Sequence, residues 1–149
     1  MTVQKPEVQE HQQRVVNRLD KHKGVVVAHG MGSGKTLTAL LAAEKAHKDD
    51  PTGHVTMVVP SSLVTNVHDQ VKQHGVTLDP DRFHVTTYDK AVNDLNSSEG
   101  KLQTRKHSLV ILDEAHKIRN TETARSSGMK QLLSSSNKTM LLSGTPAYN

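Results

Sequence analysis

The chain is 149 residues long, with 34% apolar side chains, one Phe, two Tyr and no Trp, so its length suits one domain whose core is built from Val, Leu, Ile, Met and Ala, as in parallel-sheet strands. It has no cysteine, which excludes disulfides, cysteine-ligated metals and thiol catalysis, and no apolar run approaches a membrane span or a signal region, so a cytoplasmic, nucleoid or nuclear setting is expected rather than secretion or a membrane. The 19 basic and 15 acidic residues give a formal charge of +4, and there are 10 histidines, a balance compatible with a polyanionic partner but served equally well by ATP or by solubility.

In chain order, Val8, Val15, Val16 and Leu19 recur at helical spacing and predict a helix over residues 7–20. Residues 25–28 form a short aliphatic strand, 29–34 a glycine-rich turn, and 35–47 a run rich in Ala and Leu that is helical by propensity. A turn at 49–53 leads to a second strand at 55–59. The segment 60–62 can then cap a helix carrying Leu63, Val64, Val67 and Val71.

Residues 83–87 alternate as a third strand, and Tyr88, Ala91, Val92 and Leu95 mark a short helix behind it. The polar stretch 96–107 reads as an exposed connection, followed by a fourth strand at 109–112. A polar loop at 117–121, a helix with Ala124, Leu132 and Leu133, and a fifth strand at 139–142 complete the series. The alternation of strands and helices predicts an α/β fold with a mainly parallel sheet covered on both faces, joined by right-handed crossovers, with ligands at the carboxyl ends of the strands.

The sharpest chemical signals fall at those ends. His29-Gly30-Met31-Gly32-Ser33-Gly34-Lys35-Thr36 follows a strand and opens a helix. Backbone amides of such a loop can point at a β-phosphate, Lys35 can bridge β and γ oxygens, and Thr36 can ligate Mg2+. The strict phosphate-loop pattern asks for glycine where His29 stands.

Asp113 and Glu114 follow Leu109-Val110-Ile111-Leu112, so a strand delivers two adjacent carboxylates to the same edge. One acid of such a pair can hold a metal through its water shell while the other polarises attacking water. His116 has no assignment from chemistry alone, and a zinc site joining His116, His107 and a carboxylate lacks motif spacing. Ser143-Gly144-Thr145-Pro146 brings small hydroxyl residues to the end of the last strand.

Together these segments resemble the first motor lobe of superfamily 2 helicases, a RecA-like, three-layer αβα lobe of the P-loop type, and most closely that of the Swi/Snf-type double-stranded DNA translocases. The resemblance runs from about Val8 to Asn149. It implies that Gln12 reads the adenine edge, and that Gly30, Met31, Gly32, Ser33, Gly34, Lys35 and Thr36 bind ATP, with the His29 position commonly not glycine. It further implies that Thr36 and Asp113 hold Mg2+ and that Glu114, with Lys35 and Asp113, carries hydrolysis.

By the same resemblance, Val58-Val59-Pro60-Ser61-Ser62-Leu63-Val64-Thr65-Asn66 and Val85-Thr86-Thr87-Tyr88-Asp89 approach nucleic acid. Pro60, Ser61, Ser62 and Thr87 are the implied contacts, Leu63 and Val64 go to the helix core, and Tyr88 is structural. Leu112 to Asn120 carries the metal and hydrolysis signature, and Ser143 and Thr145 couple hydrolysis to movement with His116.

The resemblance implies an ATP hydrolase acting on nucleic acid, double-stranded DNA first. The family continues beyond the position of Asn149 into a second RecA-like lobe that supplies arginine fingers, so the expectation is a single ATP-binding lobe over 1–149, completed in cis or in trans. The alternatives are a non-motor ATP-binding or partner-binding module and the motor lobe of a restriction-type enzyme.

Overall fold

The computed structural model describes residues 24–28, 35–97, 100, 102, 104–114 and 127–143. The helix expected over 7–20, the glycine turn at 29–34, the loop at 117–121 and Ala124 lie outside the described residues.

Five parallel strands form one sheet: β1 (Gly24–Ala28), β2 (His54–Val59), β3 (Phe83–Thr87), β4 (His107–Leu112) and β5 (Lys138–Ser143), in the spatial order β1-β5-β4-β2-β3. Between them run α1 (Lys35–Asp49), α2 (Val64–His74, entered through a 3-10 turn at Ser61–Leu63), α3 (Tyr88–Asn96) and α4 (Ser127–Ser135). The expected α/β class and parallel sheet are thus present.

Side-chain alternation along the strands splits the core in two. Val55, Met57, Val59, Leu109, Ile111, Met140 and Leu142 face one layer with Leu40, Ala43 and Val67 of α1 and α2. Val58, Val110 and Leu112 face the other with Ala91, Leu95, Met129 and Leu132 of α3 and α4. The crossovers through α1 and α2 run one way along the sheet, whereas those through α3 and α4 run back, and the two pairs cover opposite faces. A reversal of direction with a change of face is what a single hand of crossover requires.

Local chemistry sets the element ends. Gly75 closes α2 in the left-handed conformation, φ 61°, and its N–H donates to the Val71 carbonyl, a conformation glycine adopts without a Cβ clash. Thr87 caps α3, its Oγ1 accepting from the Lys90 amide at 3.2 Å.

The stretch 96–107 departs from the exposed connection expected of it. Leu102 is buried in the second core layer, its amide donating to the Asp94 carboxylate at 2.8 Å, and His107 is buried at the start of β4. A Cβ on Gly100 would stand 1.9 Å from the Asp94 carbonyl oxygen, so a glycine is needed where this segment folds back on α3. One apolar residue in a polar run leaves no periodicity, which is why the anchor is invisible to pattern reading.

Candidate functional site at the carboxyl edge of the sheet

Ala28 and Ser143 end β1 and β5 side by side, and Leu112 ends β4 beside Val58 of β2. The chain leaving β4 continues the pairing by one residue, since the Asp113 amide donates to the Val58 carbonyl at 2.8 Å. Asp113 is therefore fixed at the sheet edge, with only 1% of its surface exposed.

Lys35, the first residue of α1, reaches this point. Its Nζ donates to Asp113 Oδ1 at 2.8 Å and also to Glu114 Oε1. Burial works to lower the Lys35 pKa, but the hydrogen bonds and negative charge of Asp113 and Glu114 outweigh it, so the ammonium titrates above the ordinary lysine range. Thr36 follows, buried in the first turn of α1.

Glu114 sits in the left-handed region at φ 56°, a conformation that costs an L-residue about 1–2 kcal/mol. Two contacts hold the turn. The Glu114 amide donates to Asp113 Oδ1 at 2.9 Å, and the Tyr88 hydroxyl donates to the Asp113 carbonyl oxygen. A net hydrogen bond contributes about 0.5–1.5 kcal/mol, the same order as the strain. Burial, then the charges of Asp113 and Glu114, push the Tyr88 phenol well above its usual range, so it remains a donor.

The structure thus brings Lys35, Thr36, Asp113 and Glu114 to one edge. Ser143 ends the strand between those bearing the glycine turn and the acids. Ser61 and Ser62 are exposed just past β2, Pro60 is half-buried before them, and Thr87 ends β3 on the same edge. Leu63 and Val64 pack against the first core layer as expected. Gln12, Gly30, Met31, Gly32, Ser33, Gly34, His116 and Thr145 lie outside the described residues.

Tyr88 has the structural part expected of it, its hydroxyl closing on the acidic turn at Asp113, 25 residues away. One of only two tyrosines in the chain, placed directly after a strand end, it offered a signal of position but none of its partner.

His107 belongs to the opposite edge. It opens β4, which Asp113 leaves, so roughly 20 Å of strand at about 3.3 Å per residue separates the two. A zinc site joining His107 to these carboxylates is therefore ruled out. At the amino edge, His107 Nε2 instead shares a hydrogen bond of 2.7 Å with Thr56 Oγ1, and His54 Nδ1 one of 3.0 Å with His84 Nε2. Burial, aided by positive neighbours including Arg105, lowers both His84 and His107 to about 4. Among the described residues no group of three or more His, Cys, Asp or Glu is arranged to hold a metal, and no helix is long and apolar enough to cross a membrane.

As for relatives, the family model described as "Type III restriction enzyme, res subunit" matches residues 5–148. A protein of Acanthamoeba polyphaga mimivirus named for ATP-dependent RNA helicase activity is 31% identical over 139 residues, 93% of this chain and 29% of that protein. The SWI/SNF-related matrix-associated actin-dependent regulator of chromatin subfamily A-like protein 1 of Xenopus laevis is 30% identical over 135 residues, 84% of this chain and 14% of that protein. The chain therefore spans less than a third of the length of these relatives. Among solved structures, the Sulfolobus solfataricus SWI2/SNF2 ATPase core in complex with dsDNA superposes with a TM-score of 0.77 at 23% identity, over 97% of this chain and 33% of that one. At that identity the likeness is one of fold.

Proposed function

The chain belongs to the Type III restriction enzyme res-subunit family, as a first lobe of the superfamily 2 helicase kind with Swi/Snf-like relatives, and from that premise we propose that it binds Mg-ATP as the nucleotide-binding lobe of a nucleic-acid-dependent motor ATPase. One observation carries the reading: Lys35, at the head of the helix that follows β1, meets the paired carboxylates at the end of β4.

The donor set fits the group it would hold. Lys35 supplies a fixed positive charge, Thr36 a hydroxyl in the first turn of a helix of 15 residues, whose amino end favours anions, and Asp113 a buried carboxylate. A cation beside hard oxygens suits a polyphosphate with Mg2+.

In this reading Lys35 turns from the carboxylates to the β and γ oxygens. Thr36 and Asp113 would hold Mg2+. Glu114 accepts a hydrogen bond from the attacking water and orients it in line, its carboxylate aimed by the left-handed turn. Bound Mg2+ supplies charge neutralisation on the phosphoryl oxygens. Gly30 to Gly34 cradle the phosphates and Gln12 reads the adenine.

Pro60, Ser61, Ser62 and Thr87 face the nucleic acid, for which double-stranded DNA is the first choice. Ser143, Thr145 and His116 couple the two activities. A second RecA-like lobe, in cis or in trans, completes the motor and supplies the arginine fingers. Titration calorimetry of Mg-ATP against the chain and against Lys35→Ala tests the reading. A loss of affinity in the variant is expected, and equal affinities refute the phosphate-loop assignment.

A further inference from the structure

Asp113 and Glu114 share one peptide group, and its orientation decides where the Glu114 carboxylate points. Rotating that group would swing the Asp113 carbonyl and carry Glu114 out of φ 56°. On the Asp113 side the strand ladder fixes the amide, through its bond to the Val58 carbonyl. On the carbonyl side the hold described above comes from another element: the Tyr88 hydroxyl, reaching across from the first residue of α3.

Tyr88 is itself placed without freedom. It follows Thr87, which ends β3 in register with Val59 and caps α3 through its own hydroxyl. Its ring packs against the second core layer. The tyrosine therefore joins two parts of the carboxyl edge that no strand pairing connects, the Thr87 segment and the acidic turn, passing over β2, which lies between β3 and β4.

We propose that Tyr88 is a positioning residue for hydrolysis: its hydroxyl locks the Asp113–Glu114 peptide so that Glu114 keeps its left-handed, catalytic orientation. The inference rests on Asp113 and Glu114 being the acidic pair of an ATP site. Tyr88 acts through the Asp113–Glu114 peptide. Its effect is on geometry, and so falls on turnover rather than on affinity for nucleotide.

Tyr88→Phe removes the hydroxyl and leaves the ring in its packing. In the nucleotide-free chain, hydrogen exchange resolved by NMR reads the turn directly. The amides of residues 113 and 114 are expected to exchange about tenfold faster in the variant, while those of 109 to 111 within β4 keep their wild-type rates. With Mg-ATP, the variant is expected to bind within about twofold of wild type yet release phosphate about tenfold more slowly than wild type at saturation.

Wild-type exchange at 113 and 114 in Tyr88→Phe overturns the lock, and so does a uniform rise along all of β4, which marks general loosening. Local acceleration with wild-type turnover overturns the positioning role. Unchanged Mg-ATP affinity in Lys35→Ala is a separate failure: it removes the ATP reading and the hydrolytic part of this proposal with it, whatever the exchange at Tyr88→Phe shows.

Discussion

Replacing Lys35 by Met keeps most of the aliphatic stem and deletes only the charge, so the variant isolates what the ammonium does for the folded chain before any ligand binds. The side chains of Lys35, Asp113 and Glu114 are 14%, 1% and 14% exposed, which places the triad beyond the reach of ordinary solvent screening. Removing one member of a buried pair costs about 3–5 kcal/mol, because the remaining charge stays desolvated without a partner. The partial exposure of Lys35 argues for the lower end, about 3 kcal/mol. In a chain of this size each kcal/mol shifts the melting temperature by about 2–4 °C, so Lys35→Met is expected to melt about 6–12 °C below wild type. Because the Lys35 pKa is raised on folding, this stabilisation is fully present below the ordinary lysine value and is lost only as pH rises through the higher folded value. Scanning calorimetry at pH 7 without nucleotide is therefore the right assay. Adding Asp113→Asn removes the most buried of the stranded charges and should restore more than half of the loss. An unchanged melting temperature in Lys35→Met, or a double variant less stable than the single, would refute the claim that the ammonium neutralises a buried carboxylate pair.

Glu114→Gln, which keeps the shape and hydrogen-bonding reach of the side chain, should bind Mg-ATP like wild type and lose about 10²-fold or more of any hydrolysis, read as phosphate release. Duplex DNA should bind weakly, with affinity falling about tenfold between 50 and 200 mM salt if two phosphates are neutralised, a dependence that fluorescence anisotropy measures and that a flat profile would contradict. The 149-residue chain on its own should hydrolyse Mg-ATP very slowly with or without DNA, since an arginine finger can be worth roughly 10³–10⁵ in rate, and DNA-stimulated turnover of several per second, abolished by Glu114→Gln, would overturn that expectation. His107, buried and lowered from 6.5 to about 4 chiefly by desolvation, with His54, Arg105 and His84 opposing its charge, should add stability that is complete above pH 6.5 and falls away towards pH 4, by roughly 3 kcal/mol in all at 1.36 kcal/mol per unit; denaturant unfolding of His107→Gln across that range should show a shallower acid slope.

Four strands were legible because each contains a short aliphatic run bounded by turn residues, and the third because its residues alternate. The run 83–87 coincides with β3. At β2 and β4 the structure starts earlier, at His54 and His107, since the half-buried His54 and the buried His107 have their own polar partners and a polar residue in the sequence carries no sign of such pairing. The chemistry of the edge was legible for a related reason: Lys35 opens a helix after a glycine turn, Asp113 and Glu114 follow a strand, and in a parallel α/β sheet both positions lie on one edge. Strand order was not legible, because nothing local says that β5 comes to lie between β1 and β4. Nor was the Tyr88 contact, which depends on that order and on a capping hydroxyl that fixes where α3 begins.

That order bears on how one lobe can link chemistry to motion. With β5 between them, the ends of β1 and β4 stand two strand spacings apart, about 9.6 Å at 4.8 Å per spacing. Lys35, at the head of α1, reaches the acids that follow β4 on that edge. Ser143 therefore ends its strand with Ala28 on one side and the strand of the acidic turn on the other. The acidic turn is held by one ammonium and one phenol around a left-handed Glu114. If Ser143 and the acids take the parts proposed for them, a small displacement of the β5 terminus would bear on how Glu114 is aimed, in a lobe whose core is otherwise closely packed.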